Sequence, residues 1–479
     1  MLFQHIYDED LAQASYLIGC QATGEAIVVD PRRDVETFVA LAARHGLRIT
    51  HVTETHVHAD FQSGARELAQ RTGARLHLSA EGAPSEDGGL DWSYAFAHEP
   101  LHHGDVVTVG NVRVQAVHTP GHTPEHLAFL VTDGATTEEP GFFLTGDFVF
   151  VGDVGRPDLL DEAAGGVDTR FEGAKRLFAS LRDRFLALPD HVQVWPGHGA
   201  GSACGKALGS VPSTTVGYER LVAWWVPYVT NGDEAGFVDV LLEGQPDAPL
   251  YFGRMKWTNK EGPALLGQRP PLPELDVAQL HERLTVGDLV LVDTRVIETG
   301  RLDHVPGAYV VPEGKKFATY GSYTIVPEKD PRGLVLLAAD ATQAASMRDR
   351  LAWTGIDRVV GYVTSLAGLT AGPVPMVPPT GLADVPDAFV LDVRTASEYA
   401  AGAIAGALQR HVGRVAYRHD DLPHDRPIVV YCQTGARATV AAGALRALGF
   451  ADARELDGSY DAWVAAGRPT AAPTSPVPA

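Results

Sequence analysis

Short apolar runs alternate with helix-like patterns up to about residue 200. The apolar runs are "EAIVVD", "ITHVTETH", "VRVQAVHTPGH", "GFFLTGD" and "VQVWPGH". Between two of them, "GARELAQRTG" places Ala65, Leu68 and Ala69 on one helical face and ends at Gly73, which suits a helix C-cap. Because strands and helices follow each other in a mixed order, the pattern predicts an α/β domain without a simple repeat.

Two similar segments fill the rest of the chain. The runs "LVLVDTR" and "AFVLDVR" both end in Asp-x-Arg, and each is followed by a strand-loop-helix pattern. We therefore expect tandem copies of one fold. The predicted organisation is a first domain at 1–250, a linker at 251–272 that includes a proline-rich stretch, the first copy at 273–372, a linker at 373–381, the second copy at 382–470 and a disordered tail at 471–479.

Composition narrows the range of partners and compartments. The 39 basic and 60 acidic residues give a net charge of −21, which argues against nucleic acid or an anionic membrane surface as a partner. No secretory signal is visible, and no run approaches the roughly 18 apolar residues of a membrane helix. The widely separated cysteines Cys20, Cys204 and Cys432 cannot form a disulfide framework and suit a reducing cytoplasm, where we expect the protein to reside.

Polar residues typical of metal sites follow several of the predicted strands. A single histidine pair would more often be structural, but this many candidates at strand ends, beside small or glycine-containing turns, can converge on one point. Together they predict a metal site. The candidates are His56, His58 and Asp60 in "THVHAD", His122 in "TPGHT", Asp147 in "LTGD" and His198 in "WPGH".

In this order, "THVHAD", "TPGHTPEH", "TGD" and "PGH" resemble the ligand motifs of the metallo-β-lactamase fold, an αββα sandwich. In two-zinc hydrolases of that fold, such as glyoxalase II, the first motif is His-x-His-x-Asp-His, whereas this chain has Phe61 at the last position. The ligands for a second cation would be Asp60, His198 and a shared Asp147. Only one of these offers a nitrogen atom, which is unfavourable for zinc. The substitution favours one metal.

Within the fold, the pattern is similar to that of the persulfide dioxygenases. The resemblance implies that His56, His122 and Asp147 bind one Fe(II), and two imidazoles with one carboxylate suit non-haem iron. It also implies that His58, Asp60 and His198 orient these ligands. Spacing alone would also allow zinc, with His58 as a fourth ligand.

Two further residues bear on the substrate of this first domain. "GDVGRPDL" resembles the Gly-Arg-x-Asp segment of the dioxygenases, which implies that Arg156 binds a carboxylate of the thiol carrier. The alternative is that Arg156 pairs with a structural aspartate, Asp158 or Asp153. Cys204, in "GHGAGSACGK", either takes part in persulfide handling near the metal or is a passive small residue.

A cysteine loop stands between an apolar strand and a helix in the second copy. There, unpaired backbone N–H groups and the positive end of the helix dipole stabilise a thiolate or a bound persulfide, and the arginine adds a fixed cation. This predicts a nucleophilic cysteine. The loop consists of Cys432, Gln433, Thr434, Gly435, Ala436 and Arg437.

This loop resembles the Cys-x-x-Gly-x-Arg loop of the rhodanese family, together with "LDVRTASEY" and the segment around Trp463. The six-residue loop suits sulfur, whereas related phosphatases use a longer one. At position 403 this chain has alanine, whereas the family usually has histidine. In the first copy, Ala338 replaces the cysteine and Gln343 the arginine, so that copy resembles an inactive rhodanese module.

The whole chain resembles the bacterial persulfide dioxygenase–rhodanese fusions. The implied function is oxidation of a low-molecular-weight thiol persulfide, such as glutathione persulfide, with O2 to sulfite. Sulfur transfer at Cys432 would link sulfite and thiosulfate, in a direction that the sequence leaves open. The implied role is sulfide or persulfide detoxification, and likeness suggests a homodimer or homotetramer.

Two alternatives from other classes stay open. One is a zinc-dependent, glyoxalase II-like thioester hydrolase fused to a sulfurtransferase. The other is a sulfur-binding or sensing protein with a vestigial metal site. The thiol carrier also stays open among glutathione, coenzyme A, bacillithiol and mycothiol.

Overall fold

The structure is a computed structural model that describes residues 1–84, 91–159, 161 and 169–471. The chain divides into two compact units, Met1–Gln268 and Arg269–Ala479. Within the described ranges, no helix is both long and apolar enough to cross a membrane. Most of the predicted disordered tail, residues 472–479, lies outside the described residues.

The first unit contains a six-stranded sheet in which the strands stand in chain order. The second strand pairs antiparallel with the first and the third. From the third strand to the sixth, each strand pairs parallel with the next. Its strands are β1 (Leu2–Asp8), β2 (Gln13–Cys20), β3 (Glu25–Val29), β4 (Arg48–Thr53), β5 (Arg75–Ser79) and β6 (Glu99–Leu101).

A second six-stranded sheet has the order β12-β11-β10-β9-β8-β7. Strand β7 shows the period of two expected for a sheet with one covered face, because Val107 and Val109 are buried while Val106 and Thr108 are exposed. The strands of this sheet are β7 (Val106–Val109), β8 (Val112–His118), β9 (Leu127–Asp133), β10 (Phe142–Gly146), β11 (Gln193–Pro196) and β12 (Thr214–Thr215).

Helices cover the outer faces of both sheets. One apolar cluster lies between the sheets, a second joins the first sheet to α1 and α2, and a third joins the second sheet to α3–α6. The first unit is therefore an αββα sandwich, which confirms the predicted fold class. Its helices are α1 (Val35–Arg44), α2 (Ala65–Thr72), α3 (Thr169–Ser180), α4 (Val216–Val222), α5 (Val226–Asn231), α6 (Glu234–Leu242) and α7 (Tyr251–Glu261).

Helix α2 follows its sequence pattern. Ala65 and Leu68 are buried on its inner face, and the helix ends at Gly73, whose φ of 72° is left-handed. A residue with a side chain is strained in this conformation, and glycine is not. The predicted helix and its C-cap are confirmed.

Helix α7 occupies the start of the segment predicted as a linker, 251–272. It belongs to the first unit, and Met255, Lys256 and Asn259 on it are buried. The Asn259 amide donates to the backbone carbonyls of His58 and Phe61, at 2.8 and 2.7 Å. The helix thus packs beside the predicted metal motif, because its buried face carries the donors that the loop after β4 requires.

The second unit contains two parallel sheets. The first lies within the predicted first copy, whereas the second combines strands of the predicted second copy with β17 from the segment predicted as a linker, 373–381. The first has the order β14-β13-β15-β16 and the second the order β17-β22-β21-β18-β20, while β19 and β23 form a separate antiparallel pair. The strands are β13 (Leu289–Asp293), β14 (Tyr309–Val310), β15 (Gly333–Leu337), β16 (Val359–Val363), β17 (Met376–Val377), β18 (Phe389–Asp392), β19 (Ala403–Ile404), β20 (Leu408–Gln409), β21 (Ile428–Tyr431), β22 (Ala453–Leu456) and β23 (Thr470–Ala471).

Each of these sheets has its own apolar core and carries helices. This is the predicted succession of two α/β folds. The helices of the second unit are α8 (Val277–Val286), α9 (Ile297–Leu302), α10 (Phe317–Thr324), α11 (Ala341–Ala352), α12 (Ala396–Ala400), α13 (Val412–Val415), α14 (Ala436–Ala447) and α15 (Ser459–Ala465).

Candidate metal centre and sulfur-transfer loop

Three side chains that follow different strands meet at one edge of the sandwich. His56 comes from the loop after β4, His122 from the turn between β8 and β9, and Asp147 directly after β10. His122 Nε2 lies 3.5 Å and His56 Nε2 3.8 Å from Asp147 Oδ2. All three residues are buried, and one ligand atom from each lies within 4.8 Å of the others. The structure thus brings the predicted ligand trio together.

Both imidazoles are held through their Nδ1 atoms. His122 Nδ1 lies 2.8 Å from the carbonyl oxygen of Arg156, and His56 Nδ1 lies 2.9 Å from Thr55 Oγ1. Because a carbonyl can only accept, His122 carries its proton on Nδ1 and presents the Nε2 lone pair to Asp147. These contacts orient the rings as a metal site requires.

The trio fits a bound cation. His122 Nε2 and both carboxylate oxygens of Asp147 are buried without a hydrogen-bond partner among the described residues. Burial raises the pKa of Asp147 to about 6 and lowers the pKa values of His56 and His122 well below the ordinary value. Neutral imidazoles are metal ligands, and a cation would offset the cost of the buried carboxylate. His56, His122 and Asp147 can therefore hold one metal ion.

Next to this trio lies a second group that contains His198, Asp60 and Cys204. His198 Nε2 lies 3.5 Å from Asp60 Oδ2 and 3.4 Å from Asp147 Oδ1, and its Nδ1 lies 3.0 Å from the carbonyl oxygen of Ala12. Burial opposes protonation of His198, but the Asp147 and Asp60 carboxylates raise its pKa. Burial raises the pKa of Cys204 well above its ordinary value, so the group contains a neutral thiol.

His58 contacts a different pair of acids. Its Nε2 lies 2.9 Å from Glu54 Oε2 and 3.1 Å from Asp30 Oδ1, in a fully buried group. Burial opposes the charge, but Asp30 and Glu54 raise the pKa of His58 well above its ordinary value, while burial raises the pKa of Glu54 to about 7. His58 Nε2 therefore supports the loop after β4 through Asp30 and Glu54 and is not directed at Asp147.

Arg156 is buried and makes four hydrogen bonds inside the first unit. Its Nε donates to Asp158 at 2.8 Å and one terminal nitrogen donates to the same carboxylate at 2.5 Å. The other terminal nitrogen donates to the carbonyls of Ala203 and Pro246, at 3.1 and 2.7 Å. The pairing with Asp158 is thus present, and the binding of a carrier carboxylate by Arg156 stays a prediction.

Lys256 and Glu125 also border the metal site, and the sequence reasoning missed both. Glu125 Oε1 accepts a hydrogen bond from the Val57 N–H at 2.8 Å, and Lys256 Nζ lies 3.4 Å from the Val57 carbonyl oxygen. Glu125 follows His122 by three residues in "TPGHTPEH", which was a usable signal. Lys256 was missed because its helix was assigned to the linker.

In the second unit, Cys432 stands between β21 and α14, as the sequence predicts. The thiol is buried, and its Sγ accepts a hydrogen bond from the Gly435 N–H at 3.1 Å. The Cys432 N–H donates to Ser459 Oγ at 3.2 Å. Gly435 has a φ of 121°, which turns its N–H toward the sulfur and excludes a side chain. The loop therefore stabilises negative charge on sulfur.

Other loop residues are fixed by neighbours in the same module. Arg437 forms a two-pronged ion pair with Glu398, at 2.6 and 2.7 Å, and Gln433 accepts a hydrogen bond from Arg394 at 3.2 Å. Thr434 and Ala436 complete the loop, and α14 begins at Ala436. The ion pair thereby fixes the Arg437 guanidinium, and Cys432 lies close enough to interact with its charge.

The corresponding loop of the first module carries neither thiol nor cation. Ala338 follows β15, and the Gln343 side chain accepts from the Ala339 N–H at 2.6 Å and donates to Glu313 at 2.7 Å. Arg301 of this module instead donates to Thr439 and Glu455 of the second module, at 2.8 Å each. The first module thus contacts the helix that follows the Cys432 loop.

Comparisons with known proteins agree with these folds. A family model described as the metallo-beta-lactamase superfamily matches residues 8–198, and one described as a rhodanese-like domain matches residues 381–466. The crystal structure of a metallo-beta-lactamase from Staphylococcus aureus subsp. aureus COL is 37% identical, with a TM-score of 0.66. That similarity covers 76% of this chain and 99% of the other.

Two further similarities cover smaller shares of the chain. A hydroxyacylglutathione hydrolase from Polaromonas sp. is 33% identical over 185 residues, 38% of this chain and 61% of that protein. The chain thus spans less than two thirds of the length of this curated relative. The crystal structure of ETHE1 from Myxococcus xanthus is 26% identical with a TM-score of 0.43, and the similarity covers 54% of this chain and 98% of the other.

Proposed function

The chain belongs to the metallo-β-lactamase superfamily and carries a rhodanese-like domain, and on this premise we propose that it is a non-haem Fe(II) persulfide dioxygenase coupled to a sulfurtransferase. One observation carries the proposal. The buried trio of His56, His122 and Asp147 offers two imidazoles and one carboxylate, and Phe61 stands where a further nitrogen ligand would serve a second zinc. This donor set would suit a single non-haem iron.

The overall reaction converts R–S–SH, O2 and H2O into R–SH and sulfite with two protons. The outer sulfur is oxidised, O2 is reduced, and water supplies the third oxygen. When bound, ferrous iron supplies the one-electron chemistry toward O2 that side chains lack. His56, His122 and Asp147 would hold the ion, and Thr55 and the Arg156 carbonyl fix the two rings. Burial of the trio excludes competing water.

Cys432 performs the second reaction. Its thiolate attacks the outer sulfur of a persulfide, releasing R–S⁻ and leaving a cysteine persulfide. Sulfite then attacks that outer sulfur, which yields thiosulfate and regenerates the thiolate. The Gly435 N–H and the first turn of α14 stabilise the negative sulfur in both states, and Arg437 draws the anions to the loop. The reverse direction uses the same contacts.

The partners are part of the proposal. They are a low-molecular-weight thiol persulfide, O2, sulfite and thiosulfate, in a cytoplasmic homodimer or homotetramer that serves sulfide or persulfide detoxification. The net charge of −21 supports neither a nucleic acid nor a membrane as partner.

A zinc-dependent thioester hydrolase is the second candidate for the first domain. Two observations favour it. The similar protein from Polaromonas sp. is a hydroxyacylglutathione hydrolase, and the group of Asp60, His198 and Cys204 offers donors for a second cation beside the first. Two metals could bind and activate a hydrolytic water.

Oxygen uptake separates the two candidates. Protein purified anaerobically and loaded with Fe(II) is mixed with glutathione persulfide, and oxygen, sulfite and thiosulfate are quantified. The dioxygenase consumes one O2 for each sulfur oxidised. Full zinc occupancy, no oxygen uptake and cleavage of a glutathione thioester would instead establish the hydrolase.

A further inference from the structure

Lys256 on α7 is a fully buried ammonium group that forms no ion pair with any residue that the structure describes. Its Nζ makes one long hydrogen bond, 3.4 Å to the Val57 carbonyl oxygen, and lies 5.6 Å from the centre of the Trp92 ring. Within the described residues it has no carboxylate within 4.0 Å. An ammonium has three donors, so most of its hydrogen-bonding capacity is unused.

The position of Lys256 explains why this cation is tolerated. Val57 lies between His56 and His58, so the ammonium borders the candidate metal site. Burial lowers the pKa of Lys256, while the nearby carboxylates of Glu125, Asp147 and Asp60 favour its charge. In turn, the positive charge of Lys256 contributes to the lowered pKa values of His56 and His122.

Such a cation is unfavourable for folding. An ammonium buried without a partner loses its hydration and gains little in return, whereas a methionine at the same helical position would pack without that cost. Buried charges of this kind beside a cluster of metal-binding side chains are typical of functional sites. The Trp92 ring and the Val57 carbonyl compensate only in part, which leaves a donor available for a ligand.

We propose that the Lys256 ammonium binds the anionic sulfur group that reaches the candidate metal site, namely the persulfide anion of the substrate and the sulfite product. The identity of these anions rests on the proposed function. A persulfide is more acidic than its parent thiol and is therefore anionic at neutral pH. A buried point charge with free donors attracts such a group strongly, because little water screens it. Lys256 thereby selects a charged sulfur terminus and positions it beside the metal ligands.

Substitution of Lys256 tests this role directly. Lys256→Met keeps the length of the side chain and removes the charge, Lys256→Gln keeps a donor, and Lys256→Arg keeps the cation. The control is Lys260→Met, one turn along α7, where the lysine is paired with Glu261 over the Trp257 ring. Sulfite binding to the metal-loaded protein is measured by calorimetry, the KM for glutathione persulfide by oxygen uptake, and stability by thermal unfolding.

We expect Lys256→Met to raise the Kd for sulfite and the KM for the persulfide by about 30-fold or more, with a smaller effect on kcat. Its unfolding temperature should be equal to or above that of the wild type, because an unpaired buried charge is removed. Lys256→Gln should bind weakly too, Lys256→Arg should recover part of the affinity, and Lys260→Met should stay within about twofold of the wild type.

The inference is overturned if Lys256→Met and Lys256→Gln bind sulfite and the persulfide like the wild type, or if Lys256→Met lowers only the stability. It is also overturned if the wild type binds no sulfite. If the wild type binds sulfite through Lys256 but consumes no oxygen with persulfide, the proposed dioxygenase function fails while the anion site stands.

Discussion

The ring of Phe61 packs against the imidazole of His58, with the two ring centres 4.5 Å apart. Phe61 is fully buried, and its carbonyl is held by the Asn259 amide. An apolar ring at this position cannot provide a ligand, so Asp60 and His198 lack a neighbouring imidazole that a second zinc would use. This single position therefore bears on the number of metal ions and with it on the class of reaction.

Replacing Phe61 by histidine should change the metal content. We expect Phe61→His to bind about two zinc ions per chain where the wild type binds about one metal, since Asp60, His198 and the new imidazole form a second donor set. Elemental analysis after dialysis measures this stoichiometry. The control is Phe61→Leu, which stays apolar and should keep the wild-type content. A Phe61→His protein with unchanged metal content would show that the position does not control the second site.

Asp147 should determine the affinity for the metal. In the metal-free protein, it should reduce the stability. We expect Asp147→Asn to weaken Fe(II) binding by at least about 100-fold, because the only carboxylate of the trio is lost. The metal-free variant should be no less stable than the metal-free wild type, because a buried carboxylate that accepts no hydrogen bond from the described residues is removed.

Chelator competition measures the affinity of Asp147→Asn, and thermal unfolding with and without Fe(II) measures its stability. Asp183→Asn, at an exposed ion pair with Arg182, serves as the control. Unchanged iron binding by Asp147→Asn would remove Asp147 from the metal site.

How far sequence patterns reach is clearest from the residues around the trio. The sequence predicts one site for His56, His122 and Asp147 because each of them follows a strand. The ends of these strands meet at one edge of the sandwich. The partners of His58 were not foreseen, although Asp30 ends the apolar run "EAIVVD" and Glu54 lies four residues before His58. Their pairing depends on how β3 and β4 align in the parallel sheet, which a single strand pattern does not specify.

Lys256 and Asn259 show a different limit. The prolines and glycines that follow α7 predict a linker at residues 251–272. The helix itself has polar residues on its buried face. A helix whose inner face holds a lysine and an asparagine lacks the apolar periodicity by which buried helices are recognised. Such residues become visible only when the pocket that they face is known.

The two reactions should be separable at Cys432. We expect Cys432→Ser to reduce thiosulfate formation by at least about a thousandfold, because the nucleophile that carries the sulfur is lost. Oxygen uptake with glutathione persulfide should stay at the wild-type rate, so that sulfite accumulates. Cys20→Ser, in the apolar core of the first unit, is the matched control and should leave both products unchanged. Thiosulfate formation by Cys432→Ser at the wild-type rate would remove the proposed coupling.

His304 should make the second unit sensitive to acid. It is buried at 5% exposure, and neither ring nitrogen has a hydrogen-bond partner in the described part of the chain. Burial, reinforced by the nearby Arg446, lowers the pKa of His304 to about 4 from 6.5. Between these two pH values the unfolded chain binds a proton that the folded chain does not. The contribution of His304 to the free energy of unfolding is therefore complete above about pH 6.5 and is lost as the pH falls toward 4.

A variant with leucine at position 304 lacks this proton linkage. The free energy of unfolding of the wild type should fall relative to that of His304→Leu by about 3 kcal/mol between pH 7 and pH 4, the value that a pKa difference of this size implies. Urea unfolding followed by tryptophan fluorescence at several pH values measures the difference. Val305→Ala, at the neighbouring buried position, controls for a general loss of packing and should shift the curve by the same amount at every pH. Parallel curves for the wild type and His304→Leu would show that His304 takes up its proton without unfolding, which requires an acceptor to reach the ring as the pH falls.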